Sequence, residues 1–244
     1  MQGRAGEDCS IPGNSGFFCM QIFFNNPWFA RLPAPQAKAL LALTRSVRLV
    51  QGEVLYLQGE RSCGAQDGLW GVVRGAVRLS VMHADGNEAI VTMAEAGNWF
   101  GETALLAGLP RSATATAQED TELLAVSAER FTVLMQDVVF ANAMARMEAE
   151  RLHAAFGLIA DMAMHSTGTR LARRLLMMAH GDLTQAASAR STISASQDHI
   201  AMMLGVGRTT LNKELQALAG CGAIALRYGQ IELLDLELLR AAAA

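Results

Sequence analysis

FGETALLAGLPRSATATA, residues 100–117, joins a Gly-Glu pair to a leucine-bearing helical turn and then to Arg111-Ser112-Ala113-Thr114. A buried site for a cyclic phosphodiester needs a fixed cation, backbone N–H groups at a helix N-terminus, and an acceptor for a sugar hydroxyl. Arg111, the turn from Gly101 to Leu106, and Glu102 have the chemistry for these tasks. The same string also reads as a strand, a short helix and a solvated salt bridge between Glu102 and Arg111. A lone Gly-Glu pair fits that second reading, whereas Arg, Ser and Thr at fixed offsets favour the phosphate site.

Outward from this string, residues 28–134 alternate short β-rich runs with Gly, Asp and Asn turns, the pattern of a roll or barrel of short antiparallel strands. Candidate strands are 47–49, 54–57, 69–73, 76–82 and 89–93, with Asp85-Gly86 as the strongest hairpin turn. A short helix is expected over 35–43, with Pro35 early in it, where a missing N–H costs least. Residues 137–165 hold no proline, and their apolar residues Met144, Met147, Ala155, Leu158 and Met162 recur at helical spacings. One long helix of about 40 Å is expected at about 1.5 Å per residue. It is too long for a small roll to cover, so its exposed seam is expected to meet a second copy. The alternative is a helix folded back on its own domain.

The C-terminal third begins with a basic amphipathic helix over 170–179, followed by a Ser/Ala/Thr-rich loop over 184–196. Ser194 with Gln197 reads as a capping box opening a helix over 197–204. Gly205-Val206-Gly207 makes a turn into a second helix over 208–219, which Gly220 and Gly222 are expected to stop, and two apolar strands around Tyr228-Gly229 form a hairpin. Helix, glycine turn and helix make a helix-turn-helix. In the second helix Arg208, Thr209, Asn212 and Lys213 share one face, opposite Leu211, Leu215 and Leu218. Such a polar face suits a DNA major groove, although charges on an exposed helix are often only solvated.

Taken together, the residue 100–117 string and Gly52-Glu53, Gly59-Glu60, Gly75, Asp85-Gly86 and Gly97 resemble the cyclic-nucleotide-binding cassette of the CRP/FNR family of bacterial transcription regulators. The likeness extends over about residues 28–240. It implies an α+β chain: an N-terminal arm (1–25), an antiparallel β-roll of the cyclic-nucleotide-binding type (26–136), a dimerisation helix (137–166) and a winged helix-turn-helix domain (167–244). By the resemblance, Gly101 admits the ligand backbone closely, Glu102 accepts the ribose 2′-hydroxyl, and Arg111 and Ser112 hold the cyclic phosphate. cAMP-responsive members place hydroxyl side chains on the long helix near the base; this chain has Ala154-Ala155-Phe156 there. Phe156 is a candidate for stacking on the base, and cAMP, cGMP and cyclic di-GMP all stand as effectors, beside an effector-independent regulator. Arg208 resembles a guanine reader and Lys213 a base or phosphate contact, with Thr209, Asn212 and Arg227 as further DNA candidates. Thr209 stands where the best-known members carry glutamate, which leaves the half-site open. The expected partners are double-stranded DNA, RNA polymerase and a second copy of the chain, with half-sites one DNA turn apart as in the family. A regulatory module docking a protein through its C-terminal part is the rival binding reading.

Bulk properties agree with a folded cytoplasmic regulator. The 244 residues are 51% hydrophobic and 18% charged, with a formal net charge of −3. Residues 167–244 are net positive and 1–134 net negative, a mild asymmetry that points to DNA at the C-terminal end. Cys9, Cys19, Cys63 and Cys221 lie far apart, which suggests neither a disulfide framework, a zinc knuckle nor an iron–sulfur cluster. Residues 17–24 are apolar but too short to span a membrane, and are expected to pack on the roll. A hydrolase using Glu102 or His199 as base is the rival from another class, but no Ser/His/Asp order, paired metal ligands or Walker-type loop supports it, and no catalytic residue, required cofactor or metal is expected.

Overall fold

A computed structural model describes residues 21–61, 68–183 and 189–244. After a 3₁₀ turn at Ile22–Asn25 come α1 (Pro27–Ala30) and α2 (Ala34–Ala42), then strands β1 (Arg45–Leu49), β2 (Val54–Tyr56), β3 (Gly68–Arg74), β4 (Ala76–Met82), β5 (Glu88–Glu95) and β6 (Trp99–Phe100). Helix α3 (Glu102–Ala107) interrupts the strands before β7 (Thr114–Ala117) and β8 (Thr121–Ser127). Helix α4 (Ala128–Leu134) leads into the long α5 (Val138–Met164) and α6 (Thr167–His180). The C-terminal elements are β9 (Thr192–Ser194), α7 (Gln197–Leu204), α8 (Arg208–Gly220), β10 (Ile224–Arg227), β11 (Gln230–Leu233) and α9 (Leu236–Ala242).

The first eight strands form two antiparallel sheets, ordered β1-β8-β3-β6 and β2-β7-β4-β5. Gly52, Gly59, Gly75, Gly86 and Gly97 all turn the chain at positive φ, a region closed to most side chains. The roll interior is filled by Trp70, Val72, Val77, Phe100, Ala115 and Leu123. A second, aromatic cluster seals the roll onto α5: Phe23, Trp28, Phe29 and Trp99 pack with Phe131, Phe140, Met144 and Met147. Of the apolar stretch 17–24, Phe23 is buried in this cluster and Phe24 is exposed; residues 17–20 of that stretch, like Cys9, Cys19 and Cys63, lie outside the described residues. Cys221 is exposed.

The expected long helix is present, with Asp137 capping it by accepting hydrogen bonds from the amides of Val139 and Phe140 at 2.8 and 3.2 Å. Its exposed seam differs from expectation, because Met144 and Met147 turn inward to the aromatic cluster. Among the residues left outside, Val138, Asn142, Ala145, Ala149, Leu152, Phe156, Ile159 and Ala163 alternate four and three apart along one face, and Ala155 and Met162 of the expected seam are exposed beside them.

The C-terminal elements enclose their own core, built on Leu171, Leu175, Ile200, Leu204, Leu211, Leu215, Leu218 and Ile231. Three local expectations are corrected. Ser194 lies in β9, and the cap of α7 is Ser196, whose hydroxyl accepts from the His199 amide at 3.2 Å. The loop expected over 184–196 contains β9, which pairs with β11 and makes the wing three-stranded; residues 184–188 lie outside the described residues. Helix α8 runs through Gly220 and ends at Cys221, after which Gly222 turns the chain at φ +81°. The reason is common to the last two: strand pairing and core packing override a weak local breaker.

Candidate functional site

Arg111 follows α3 and is 3% exposed, fixed through its own backbone: its amide donates to Glu60 O at 2.7 Å and its carbonyl accepts from the Gly59 amide at 2.8 Å. The guanidinium lies 4.3 Å over the Tyr56 ring, and Nη1 donates to the Gly101 carbonyl at 2.7 Å. Gly101 is obligatory here. It sits at φ +93°, and a Cβ would approach the Trp70 ring to 2.8 Å, the Gly68 carbonyl to 2.9 Å and Arg111 Nη1 to 3.3 Å.

Glu102, also 3% exposed, begins α3 beside this cation. Arg151 of α5 reaches into the roll, pairs with Glu102 Oε1, and donates from Nη2 to the Trp99 carbonyl at 2.6 Å. Glu148, one turn earlier on α5, lies 3.6 Å from Arg151 Nη1. Two carboxylate oxygens here, Glu102 Oε2 and Glu148 Oε1, are buried with no hydrogen-bond donor. A proton on Glu148 or a ligand hydroxyl can supply one. Burial first, and the Glu102 charge second, push Glu148 up to about 7, against the lowering effect of Arg151.

Between its ordinary value of 4.5 and about 7 the folded chain holds a proton on Glu148 that the unfolded chain has released. Stability therefore falls as pH rises through that window. Glu148→Gln removes the dependence. Discounted for solvent screening, the gain at pH 8 is about 1 kcal/mol, or roughly 2–4 °C in Tm. Thermal melts at pH 5 and pH 8 check it; equal Tm shifts at both would contradict it.

Gly101, Glu102, Arg111 and Ser112 share one cavity of about 160 Å³, whose walls include Tyr56, Leu79, Thr92, Arg151 and Leu183. The structure brings these four predicted residues together. It does not bring Phe156, which stands 61% exposed on the outer face of α5 and does not line this cavity. Arg151, Glu148, Tyr56 and Leu183 were not legible in the sequence as site residues. The one local signal was the Glu148/Arg151 spacing of a single helical turn, which many surface helices share.

At the other end of the molecule, α7, the Gly205–Gly207 turn and α8 form the helix-turn-helix. Arg208, Thr209, Asn212 and Lys213 are all exposed on α8, while Leu211, Leu215 and Leu218 are buried beneath them. Arg208 pairs with Asp198 of α7 at 3.4 Å. In the wing Arg227 pairs with Glu232 at 3.2 Å, and Tyr228 beside it is fully exposed. His199 is half-buried; its burial, then the nearby Arg78 of the roll, lower its pKa. Among the described residues no group of side chains is arranged to hold a metal, and no helix is long and apolar enough to cross a membrane.

A β-roll with a buried arginine and glutamate on one cavity, joined through a long helix to a winged helix-turn-helix, defines a class of ligand-linked DNA-binding regulators. The chain matches the cyclic nucleotide-binding domain over residues 46–138 and the Crp-like helix-turn-helix domain over 169–242. It is 29% identical over 211 residues to a "CRP-like cAMP-activated global transcriptional regulator" of Mycobacterium tuberculosis, covering 84% of this chain and 92% of the relative. It is also 29% identical over 215 residues to a "Cyclic AMP receptor protein" of Thermus thermophilus, covering 88% and 95%. The crystal structure of a CRP/FNR family transcriptional regulator from Thermus thermophilus superposes with a TM-score of 0.65 at 28% identity, over 82% of this chain and 98% of that one. The chain belongs to the CRP/FNR family. It is a transcription regulator, not an enzyme, with a cyclic-nucleotide-binding domain and a helix-turn-helix DNA-binding domain.

Proposed function

We propose that this chain is a homodimeric regulator that binds cAMP between the roll and α5 and reads palindromic DNA through α8. The division is an arm (1–25), an effector domain (26–136), a dimerisation helix (137–166) and a DNA-binding domain (167–244). The observation that carries the effector reading is the convergence of buried Arg111 and Glu102 with Gly101 and Ser112 on one cavity. Arg111 suits a cyclic phosphate and the Glu102 carboxylate a ribose hydroxyl. The two relatives described as responding to cAMP support the choice of nucleotide. Calorimetric titration with cAMP, and in parallel with cGMP and cyclic di-GMP, tests it: saturable heat from one of them names the effector, and none from any refutes the reading.

One observation favours a second reading, an effector-independent regulator: Arg151 already neutralises Glu102, and Arg111 already donates to Gly101. The same titration separates the two.

The eight exposed residues of α5 that alternate four and three apart are a heptad seam, which supports a parallel pairing of two α5 helices. On α8, Arg208 is the principal base reader of this proposal and Lys213 a base or phosphate contact, with Thr209, Asn212 and Arg227 on the same surface. Arg208→Ala is expected to relax preference at one base pair per half-site by about 1–3 kcal/mol. Competition binding with single-base operator variants measures it; an unaltered preference profile removes Arg208 from the readers.

A further inference from the structure

We propose that Leu183, carried on the turn that follows α6, is an intrachain plug of the effector cavity, so that the nucleotide must expel it and in doing so unseats the DNA-binding domain from the roll. This rests on the effector reading above.

Leu183 follows a helix of the DNA-binding domain, yet it packs against the roll's core cluster and forms a wall of the cavity that holds Arg111 and Glu102. That cavity is about 160 Å³, below the roughly 300–1,000 Å³ of small-molecule sites. A neighbouring cavity of about 350 Å³, whose lining mixes Trp28, Met147 and Leu158 with Arg31, Glu150 and Arg174, shares three walls with it: Thr92, Arg151 and Leu183. Thr92 is fixed in β5, and Arg151 is tied to Glu102 and Trp99. Leu183 is the removable partition, and its departure joins the two spaces into one of nucleotide size.

What holds the plug in place also holds the reader helices. Gly181 turns the chain at φ +76° and delivers Asp182 to the edge of β5. There the Asp182 carboxylate accepts from the Met93 amide at 3.3 Å and from Arg174 of α6 at 2.7 Å. Arg174 in turn contacts the sulfur of Met203 on α7 at 3.3 Å. Arg190 pairs with Glu95 at the end of β5 at 2.9 Å. Cavity wall, Asp182, Arg174 and the first helix of the helix-turn-helix are therefore one continuous chain of contacts. A ligand that displaces Leu183 has the differential affinity for the open arrangement that a population shift requires.

The test is calorimetric titration of the full chain with cAMP and with cGMP, on wild type, Leu183→Ala, Glu95→Gln and Arg111→Ala. Leu183→Ala is expected to tighten nucleotide binding about tenfold, since the penalty of opening is removed. Glu95→Gln, which alters no wall of the cavity, is expected to tighten it about threefold and carries the test if Leu183→Ala does not fold. Unchanged or weakened affinity in both, with binding that Arg111→Ala abolishes, overturns the plug and leaves the effector reading intact. No binding by any variant overturns the plug together with the reading it rests on.

Discussion

Arg111→Ala is expected to weaken cyclic-nucleotide binding at least about a hundredfold while the chain stays folded. A fully desolvated charge-assisted bond to phosphate is worth more than a neutral one, and loss of a buried charge partner costs about 3–5 kcal/mol. That loss corresponds to more than two decades of affinity. Part of the cost falls on the fold, since Nη1 holds the Gly101 carbonyl and the guanidinium covers Tyr56. Arg111→Lys separates the two effects: it keeps the charge and loses the planar fork, so it is expected to bind with intermediate affinity. Circular dichroism verifies the fold of both variants, and nucleotide affinity within threefold of wild type in Arg111→Ala would contradict the assignment.

Phe156→Asp is expected to convert the dimer to monomer. Leu152, Phe156 and Ile159 are 57%, 61% and 62% exposed along the middle of the α5 seam. Burying an apolar side chain of this size contributes about 1.5–3 kcal/mol, and the substitution acts twice in a symmetric dimer while placing two like charges across the seam. The dimer dissociation constant should rise at least about a thousandfold. Sedimentation equilibrium reads it directly; a dimer of unchanged affinity would place the interface on another face. Palindromic DNA binding should fall with it, because each half-site then has to be bound alone.

The expectations that held were those set by local chemistry. The β4 strand over residues 76–82 matched to the residue, and the glycines of the roll corners fall at positive φ because only glycine is at ease there. The second helix of the helix-turn-helix followed from leucine periodicity and the Gly205–Gly207 turn, whereas the first has the expected span, 197–204, but is capped by Ser196 and not by Ser194. What sequence could not display is contact at long range. Arg151 joins Glu102 across 49 positions, and nothing around it marks it as more than a surface helix charge. Leu183 adjoins a Ser/Ala/Thr-rich stretch of sequence, and only the fold places it against the roll core. Phe156 was read toward the base because the resemblance sets the ligand near that stretch of helix, but within one chain the residue faces outward. The inward seam was misread for a related reason. Met144 and Met147 have helical spacing suited to either face, and the aromatic cluster from Phe23 to Phe140 claims them for the roll.

The most direct test of the central claim is the affinity of the full chain for a palindromic duplex, measured by fluorescence anisotropy at fixed salt with saturating cAMP and with none. The account predicts at least about a tenfold tightening with the nucleotide, a coupling of about 1.4 kcal/mol, lost in Arg111→Ala. Equal affinity with and without nucleotide would contradict it and leave a DNA-binding protein whose roll does not control its reader helices.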